Sequence, residues 1–253
     1  MRVRRIHGGG AIEEILRRDN LVYRSDAFKQ KLIAANVTQV IGVVAPDLPS
    51  DFELIDRWSV AAEIEGATFL IVANKADLEG STALVQRLAP WRKLGYRVLP
   101  LSATRAVQPL VTEITGRRSV LVGQSGMGKS TMLNGLLPDV AARTREVSAY
   151  LRTGRHTTTE TTLHLLGPTP SDGWIVDSPG MKAFGLAHVD PRAIEEGFVE
   201  IRPLLGQCRF RDCRHDQEPG CAVQAAVECG EVMPHRVALL HAMVAESEAV
   251  RAH

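Results

Sequence analysis

Gly123-Gln124-Ser125-Gly126-Met127-Gly128-Lys129-Ser130 lies between Ser119-Val120-Leu121-Val122, a short apolar run with strand character, and residues 129–137, where a helical pattern begins. The glycines permit backbone angles and a closeness of approach that other residues forbid, so amides at the helix start can turn towards an anion. In this strand-loop-helix setting the segment is a phosphate-binding loop. Lys129 is expected to reach the outer phosphates as a point charge, Ser130 to offer its hydroxyl to magnesium, and Thr131 to be a neighbouring phosphate contact.

Upstream of that loop, Ala67-Thr68-Phe69-Leu70-Ile71-Val72-Ala73 is a continuous apolar run suited to a strand covered on both faces, and it ends at Asn74-Lys75-Ala76-Asp77. An aspartate in that place accepts both the ring and the exocyclic N–H of guanine, a pattern adenine lacks, while Asn74 bonds the opposite edge. Leaving those groups unpaired with the wrong base costs affinity. Tyr96-Arg97-Val98-Leu99-Pro100-Leu101 reads as another strand, running into Ser102-Ala103, a pair whose backbone backs the guanine ring.

Gly173-Trp174-Ile175-Val176 is a further strand and leads to Asp177-Ser178-Pro179-Gly180. In this Asp-x-x-Gly motif Asp177 holds magnesium through water and the Gly180 amide senses the γ-phosphate. Residues 143–162 are polar, lack periodicity and contain Gly154-Arg155-His156-Thr157-Thr158-Thr159. A stretch of that length within a compact domain is a candidate switch, and one of its threonines, taken as Thr158, is expected to ligate magnesium when the γ-phosphate is present. Met181 stands where Ras-type GTPases place the glutamine that orients the attacking water, and a thioether cannot do that. His156 is therefore the candidate catalytic group, working with Lys129 and Thr158, the other reading being a plain surface-loop histidine.

The motifs run guanine, Ser-Ala, phosphate loop, threonine switch, Asp-x-x-Gly, which is a circular permutation of the usual GTPase order. With that order, Ile33-Ala34-Ala35-Asn36-Val37 and residues 197–221, the chain resembles the ribosome small subunit-dependent GTPase A family, RsgA (YjeQ/YloQ), over nearly its whole length from about residue 10. The resemblance implies GTP hydrolysis in late maturation of the small (30S) ribosomal subunit, stimulated by that subunit. It also implies docking on ribosomal RNA and a switch histidine that serves in catalysis. The alternative is a nucleotide-gated RNA- or protein-binding module with negligible turnover. Expected cofactors are GTP/GDP, Mg2+ and one structural Zn2+; the expected setting is cytoplasmic and monomeric, without membrane or DNA.

Cys208-x4-Cys213-x-His215-x5-Cys221 supplies three thiolates and one imidazole, a donor set for a closed tetrahedral zinc site with a structural role. Ejecting the metal is expected to unravel the chain around residues 200–230. Cys229 is left over. Arg143, Arg145, Arg152 and Arg155 around the switch, and Arg202, Arg209, Arg211 and Arg214 around the zinc ligands, are candidate phosphate contacts. A net charge of +1 argues against indiscriminate nucleic-acid binding.

The expected architecture is α/β: a P-loop GTPase domain with permuted motif order and a mainly parallel sheet, plus a small helical zinc-binding domain. The resemblance implies that residues 1–35 are the remnant of an N-terminal OB-fold, with residues 11–16 and 21–25 its last strands, and Arg2, Arg4 and Arg5 read as a basic arm. Residues 36–184 form the GTPase domain and 185–253 the helical zinc domain. Within the core, residues 39–45 read as a strand, 46–50 as a short polar loop, 52–65 as an amphipathic helix, and 81–94 and 106–116 as crossover helices. Residues 191–205 and 232–253 look helical. At 253 residues and 45% hydrophobic content, with no apolar run near membrane-spanning length, the chain can bury one substantial core and one small appendage.

Overall fold

A computed structural model describes residues 2–6, 9–26, 29–137, 161–177 and 186–251. Its centre is a six-stranded sheet whose strands are β5 (Gln39–Val44), β6 (Thr68–Ala73), β7 (Arg97–Pro100), β8 (Arg118–Val122), β9 (Thr162–Leu165) and β10 (Trp174–Asp177). The spatial order is β7-β6-β5-β8-β10-β9. Neighbours from β7 through β10 are parallel, and β9 closes one edge antiparallel to β10. The mainly parallel sheet is thus as expected, while β9 begins at the last residue of the expected switch and is not among the expected strands. Its alternation of exposed Leu163 and Leu165 with half-buried His164 suits an edge strand.

Strand β5 is buried along its whole length, as its unbroken apolar run requires. Alternate residues feed two cores. Val40, Val44, Phe69, Ile71, Val120, Val122 and Val176 pack on one face with helix α1 (Phe52–Ile64), and with Trp91 of α3 (Ala89–Lys93), which follows α2 (Ser81–Arg87). Ile41, Val43, Leu70, Val72, Leu121 and Ile175 pack on the other with α4 (Gln108–Ile114) and α5 (Lys129–Leu136). Where Trp58 crosses the sheet only Gly42 fits, because a Cβ there would stand 2.8 Å from the indole Cε3. The chain winds from β5 outward to β7 and then returns across β5 to β8. That reversal opens a crevice at the C-terminal ends of β5 and β8, the usual ligand position in such sheets.

Two helical readings need correction. Residues 81–94 are two short helices, since Pro90 at the start of α3 cannot continue the hydrogen-bond ladder of α2. Residues 191–205 hold only α6 (Pro191–Glu196) and a 3-10 turn at Arg202–Leu204, because Gly197 ends the helix under Ile64 and Val60, where a Cβ would lie 2.9 Å from each. Helices α7 (Ala222–Glu228) and α8 (Pro234–Arg251) complete the C-terminal part. No helix of the described residues is long and apolar enough to cross a membrane.

Two antiparallel hairpins precede the sheet: β1 (Arg2–Ile6) with β2 (Gly9–Glu14), and β3 (Leu21–Asp26) with β4 (Lys29–Ala35). The stretch expected as a basic arm is therefore strand β1, with Arg4 paired to Glu13 at 2.7 Å. Asn20 docks the second hairpin on the core. Its side chain donates to the carbonyls of Val37 and Glu65, both at 2.8 Å, and accepts from the Val37 amide at 2.8 Å.

Helix α1 looks amphipathic in sequence but is covered on two sides. Asp56 and Ser59 are buried beneath Arg236 of α8, whose fully buried guanidinium donates to Asp56 Oδ1 at 2.9 Å and to Glu200 Oε1 at 2.6 Å. Trp91 Nε1 also donates to Asp56 Oδ1, at 2.9 Å. Burial raises the Asp56 pKa against the opposing pull of Arg236. Each charge in this cluster is met by another, which a buried ion requires.

Candidate functional site

At the crevice, the loops after β5, β6, β7 and β8 meet. Asn74 follows β6 with 2% of its surface exposed, and its amide joins three of these segments. Nδ2 donates to the Met127 carbonyl of the phosphate loop at 2.9 Å, and Oδ1 accepts from the Ala103 amide at 3.1 Å. Its own backbone amide donates to Val44 O, 2.8 Å away at the end of β5. Gly128 makes this closeness possible: its φ is 92°, and a Cβ there would sit 2.2 Å from Asn74 Nδ2.

Asp77 is exposed towards the crevice and accepts a short hydrogen bond from the Ser102 hydroxyl. That bond holds its carboxyl below the usual carboxylate range, so both oxygens remain acceptors at neutral pH. Lys75 has a left-handed backbone, φ 58°, and its ammonium pairs with Asp47 at 2.6 Å.

In the phosphate loop, Gly123, Gly126 and Gly128 all have positive φ, between them leaving Gln124 half-buried and Ser125 exposed at the crest while Met127 is buried. Lys129 folds back over the loop and donates to the carbonyls of Gly123 at 2.6 Å and Gln124 at 2.8 Å. Burial lowers its pKa, and the nearby Asp177 at the end of β10 opposes that shift. Burial in turn raises the Asp177 carboxyl, opposed by Lys129 and His164. Ser130 and Thr131 are exposed in the first turn of α5, whose N-terminus has no side-chain cap. The first amides of that helix are therefore free for an anion.

The structure thus brings Asn74, Lys75, Asp77, Ser102 and Ala103 to one crevice with residues 123–131 and Asp177. His156, Thr158, Gly180 and Met181, with Arg143, Arg145, Arg152 and Arg155, lie outside the described residues.

The Cys208, Cys213, His215 and Cys221 donor atoms lie within 4.8 Å of one another. His215 Nδ1 is 3.5 Å from the sulfurs of Cys208 and Cys221 and 3.7 Å from that of Cys213, and the Cys208 and Cys221 sulfurs are 3.9 Å apart. Tetrahedral zinc with ordinary bond lengths places S and N about 3.6 Å apart and two sulfurs about 3.8 Å apart, so the cluster fits a metal of that size. Burial pushes the Cys213 thiol up to about 12 and lowers the His215 pKa, so a cation must displace thiol protons to bind while the imidazole is already neutral.

Groups the motif scan missed brace this loop. Glu218 accepts from the amides of Arg214 at 2.7 Å and Asp216 at 2.9 Å, which carries its pKa down to about 2. Gln224 donates to the His215 carbonyl at 2.6 Å, and the Ala222 and Gln224 amides point at cysteine sulfurs at 3.4 and 3.5 Å. Arg209, Arg211 and Arg214 are exposed, whereas Arg202 spans back to Glu63 of α1 at 2.8 Å.

Set beside known proteins, residues 15–187 match the family model described as RsgA GTPase. The chain is 48% identical over 237 residues to the small ribosomal subunit biogenesis GTPase RsgA of Nitrosospira multiformis, an alignment covering 93% of this chain and 75% of that protein. Among solved structures it is similar to YjeQ from Thermotoga maritima, with a TM-score of 0.70 at 30% identity, covering 95% of this chain and 80% of that one. It is also similar to YloQ, described as a circularly permuted GTPase, with a TM-score of 0.64 at 25% identity over 90% and 79% of the two chains. A guanine motif ahead of its phosphate loop, one crevice holding both, and a family model spanning more than half of the sequence together place the chain in the RsgA GTPase family.

Proposed function

We propose that the crevice binds GTP and GDP, and that the protein hydrolyses GTP to GDP and phosphate as a cytoplasmic, monomeric factor in maturation of the small ribosomal subunit. The Asn74 bridge from guanine motif to phosphate loop is the observation that carries this reading, because it ties the two motifs directly to each other at 2.9 Å, as a single nucleotide spanning both would require. Asp77 accepts from the guanine edge, Asn74 and the Ala103 backbone hold the opposite side of the ring, and the amides of residues 123–131 surround the phosphates. Lys129 exchanges its loop carbonyls for phosphate oxygens. Ser130, Thr158 and a water on Asp177 would hold magnesium, which would supply neutralisation of phosphate charge. His156 orients the attacking water, and Gly180 reports the γ-phosphate to the C-terminal helices that follow it in the sequence.

The small subunit and its ribosomal RNA are the proposed partners, supported by the printed role of the Nitrosospira relative and by exposed Arg209, Arg211 and Arg214. A zinc ion held by Cys208, Cys213, His215 and Cys221 organises that arginine-rich loop. Ordering of the switch by the small subunit is expected to accelerate hydrolysis.

Hydrolysis measured with and without purified small subunits tests this. Lys129→Ala is expected to abolish nucleotide binding or turnover. His156→Ala is expected to slow turnover by about 100-fold or more, within the range of general-acid or general-base contributions, while sparing affinity. Normal hydrolysis by the histidine variant removes that residue from the mechanism. Nucleotide-dependent ribosome binding with no stimulated turnover identifies a binding module instead of an enzyme.

A further inference from the structure

The connection between β5 and α1, residues 45–51, belongs to none of the nucleotide motifs yet touches two of them. Asp47 Oδ2 lies 2.6 Å from Lys75 Nζ. The Lys75 stem runs across the phosphate loop, its Cε 4.0 Å from the place a Cβ on Gly128 would occupy. The adjacent Leu48 meets the same loop: its Cδ1 is 2.8 Å from where a Cβ on Gly126 would stand. The connection is itself anchored. Strand β5 is fully buried at one end, Ser50 Oγ donates back to Ala45 O at 3.5 Å, and at the other end Asp51 caps α1 by accepting from the Glu53 amide at 3.1 Å.

A lysine side chain is long and free to rotate, and ordering it when a ligand arrives opposes binding. Here both ends are held before any ligand arrives: the backbone in the left-handed region, and the ammonium by a carboxylate whose hydrogen bond from Lys75 keeps it below the usual carboxylate range. We propose that Asp47 is a positioning residue of the nucleotide site, fixing Lys75 across the phosphate loop so that guanine motif and phosphate loop close on the nucleoside as one unit. It acts on affinity and not on turnover. The inference rests on the reading of the crevice as a guanine-nucleotide site.

The test uses the full chain and a fluorescent GDP, with Asp47→Asn, Asp47→Glu, Lys75→Ala and the Asp47→Asn/Lys75→Ala pair. Asp47→Asn is expected to raise the Kd for GDP and GTP alike by about three- to fivefold, the upper range for a partly exposed ion pair. The change lies in dissociation, with kcat at saturating GTP unaltered. Asp47→Glu recovers part of the loss, and Asp47→Asn adds nothing in the Lys75→Ala background. An Asp47→Asn protein that binds GDP like the unaltered one, or an effect of equal size with and without Lys75, overturns the proposal while leaving the nucleotide site standing. An unaltered protein that binds no guanine nucleotide overturns both.

Discussion

Gly128→Ala is expected to weaken GDP and GTP binding by about 100-fold or more. The methyl group would stand 2.2 Å from Asn74 Nδ2, and the residue holds φ 92°. A non-glycine residue in such a conformation costs about 1 to 3 kcal/mol. Pushing the Asn74 amide away leaves the Met127 carbonyl and the Ala103 amide without their partner, at about 1 to 3 kcal/mol for each buried group left unpaired. The sum reaches about 3 kcal/mol or more, and about 1.4 kcal/mol is a factor of ten in affinity. Titration with a fluorescent GDP reads the effect. Gly230→Ala is the matched control, since Gly230 has φ 75° but open space around it; it carries the backbone penalty alone and is expected to leave affinity unchanged. Affinity in Gly128→Ala within threefold of the unaltered protein would falsify the claim that the Asn74 bridge assembles the site.

Removing the proposed zinc is expected to have the second large effect. Structural zinc contributes about 10 to 16 kcal/mol in finger peptides, and beyond the hydrogen bonds of Glu218 and Gln224 the loop of residues 206–221 has little buried packing to hold it. Apart from Cys221 and His215, its side chains are half-buried or exposed. Chelation, or Cys221→Ser, is expected to expose amides 206–222 to rapid hydrogen exchange. Helix α8 should keep its protection, because Val237, Leu240 and Met243 belong to the same core as α1, and Arg236 ties it to Asp56 and Glu200. Release of one zinc per chain, measured by elemental mass spectrometry, should accompany the change. Unaltered exchange after complete metal loss rules out a structural metal. Loss of α8 at the same time shows that the metal organises the whole C-terminal part, beyond the unravelling around residues 200–230 expected from the cysteine spacing.

Much of this site was readable from residue order because its chemistry is local. Gly123 to Ser130, Asn74 to Asp77 and the Cys-Cys-His-Cys spacing each carry their function within a few residues, and apolar runs such as 67–73 announce buried strands through composition. The misreadings have equally definite causes. Strand β9 is short, exposed and polar on one side, so nothing but its pairing with β10 makes it a strand. The break at Pro90 was legible in principle, through a missing donor, but an apolar period running past it hid it; the close approach of Gly197 to Ile64 and Val60 is a tertiary contact that the sequence does not show.

What no stretch of sequence contains is the identity of partners far along the chain. Asp47 meets Lys75 across 28 positions, Asn74 meets Met127 across 53, and Asp56 meets Arg236 across 180. Periodicity reports which face of an element is apolar; it does not report what covers the polar face. The polar stripe of α1 therefore looks like a solvent face until α8 lies on it. Residue types and their spacing were enough to name the ligand chemistry and the strand-helix alternation. Which loops converge, and which charges are buried together, follow from the strand order, because it is the sheet that holds segments distant in the chain side by side.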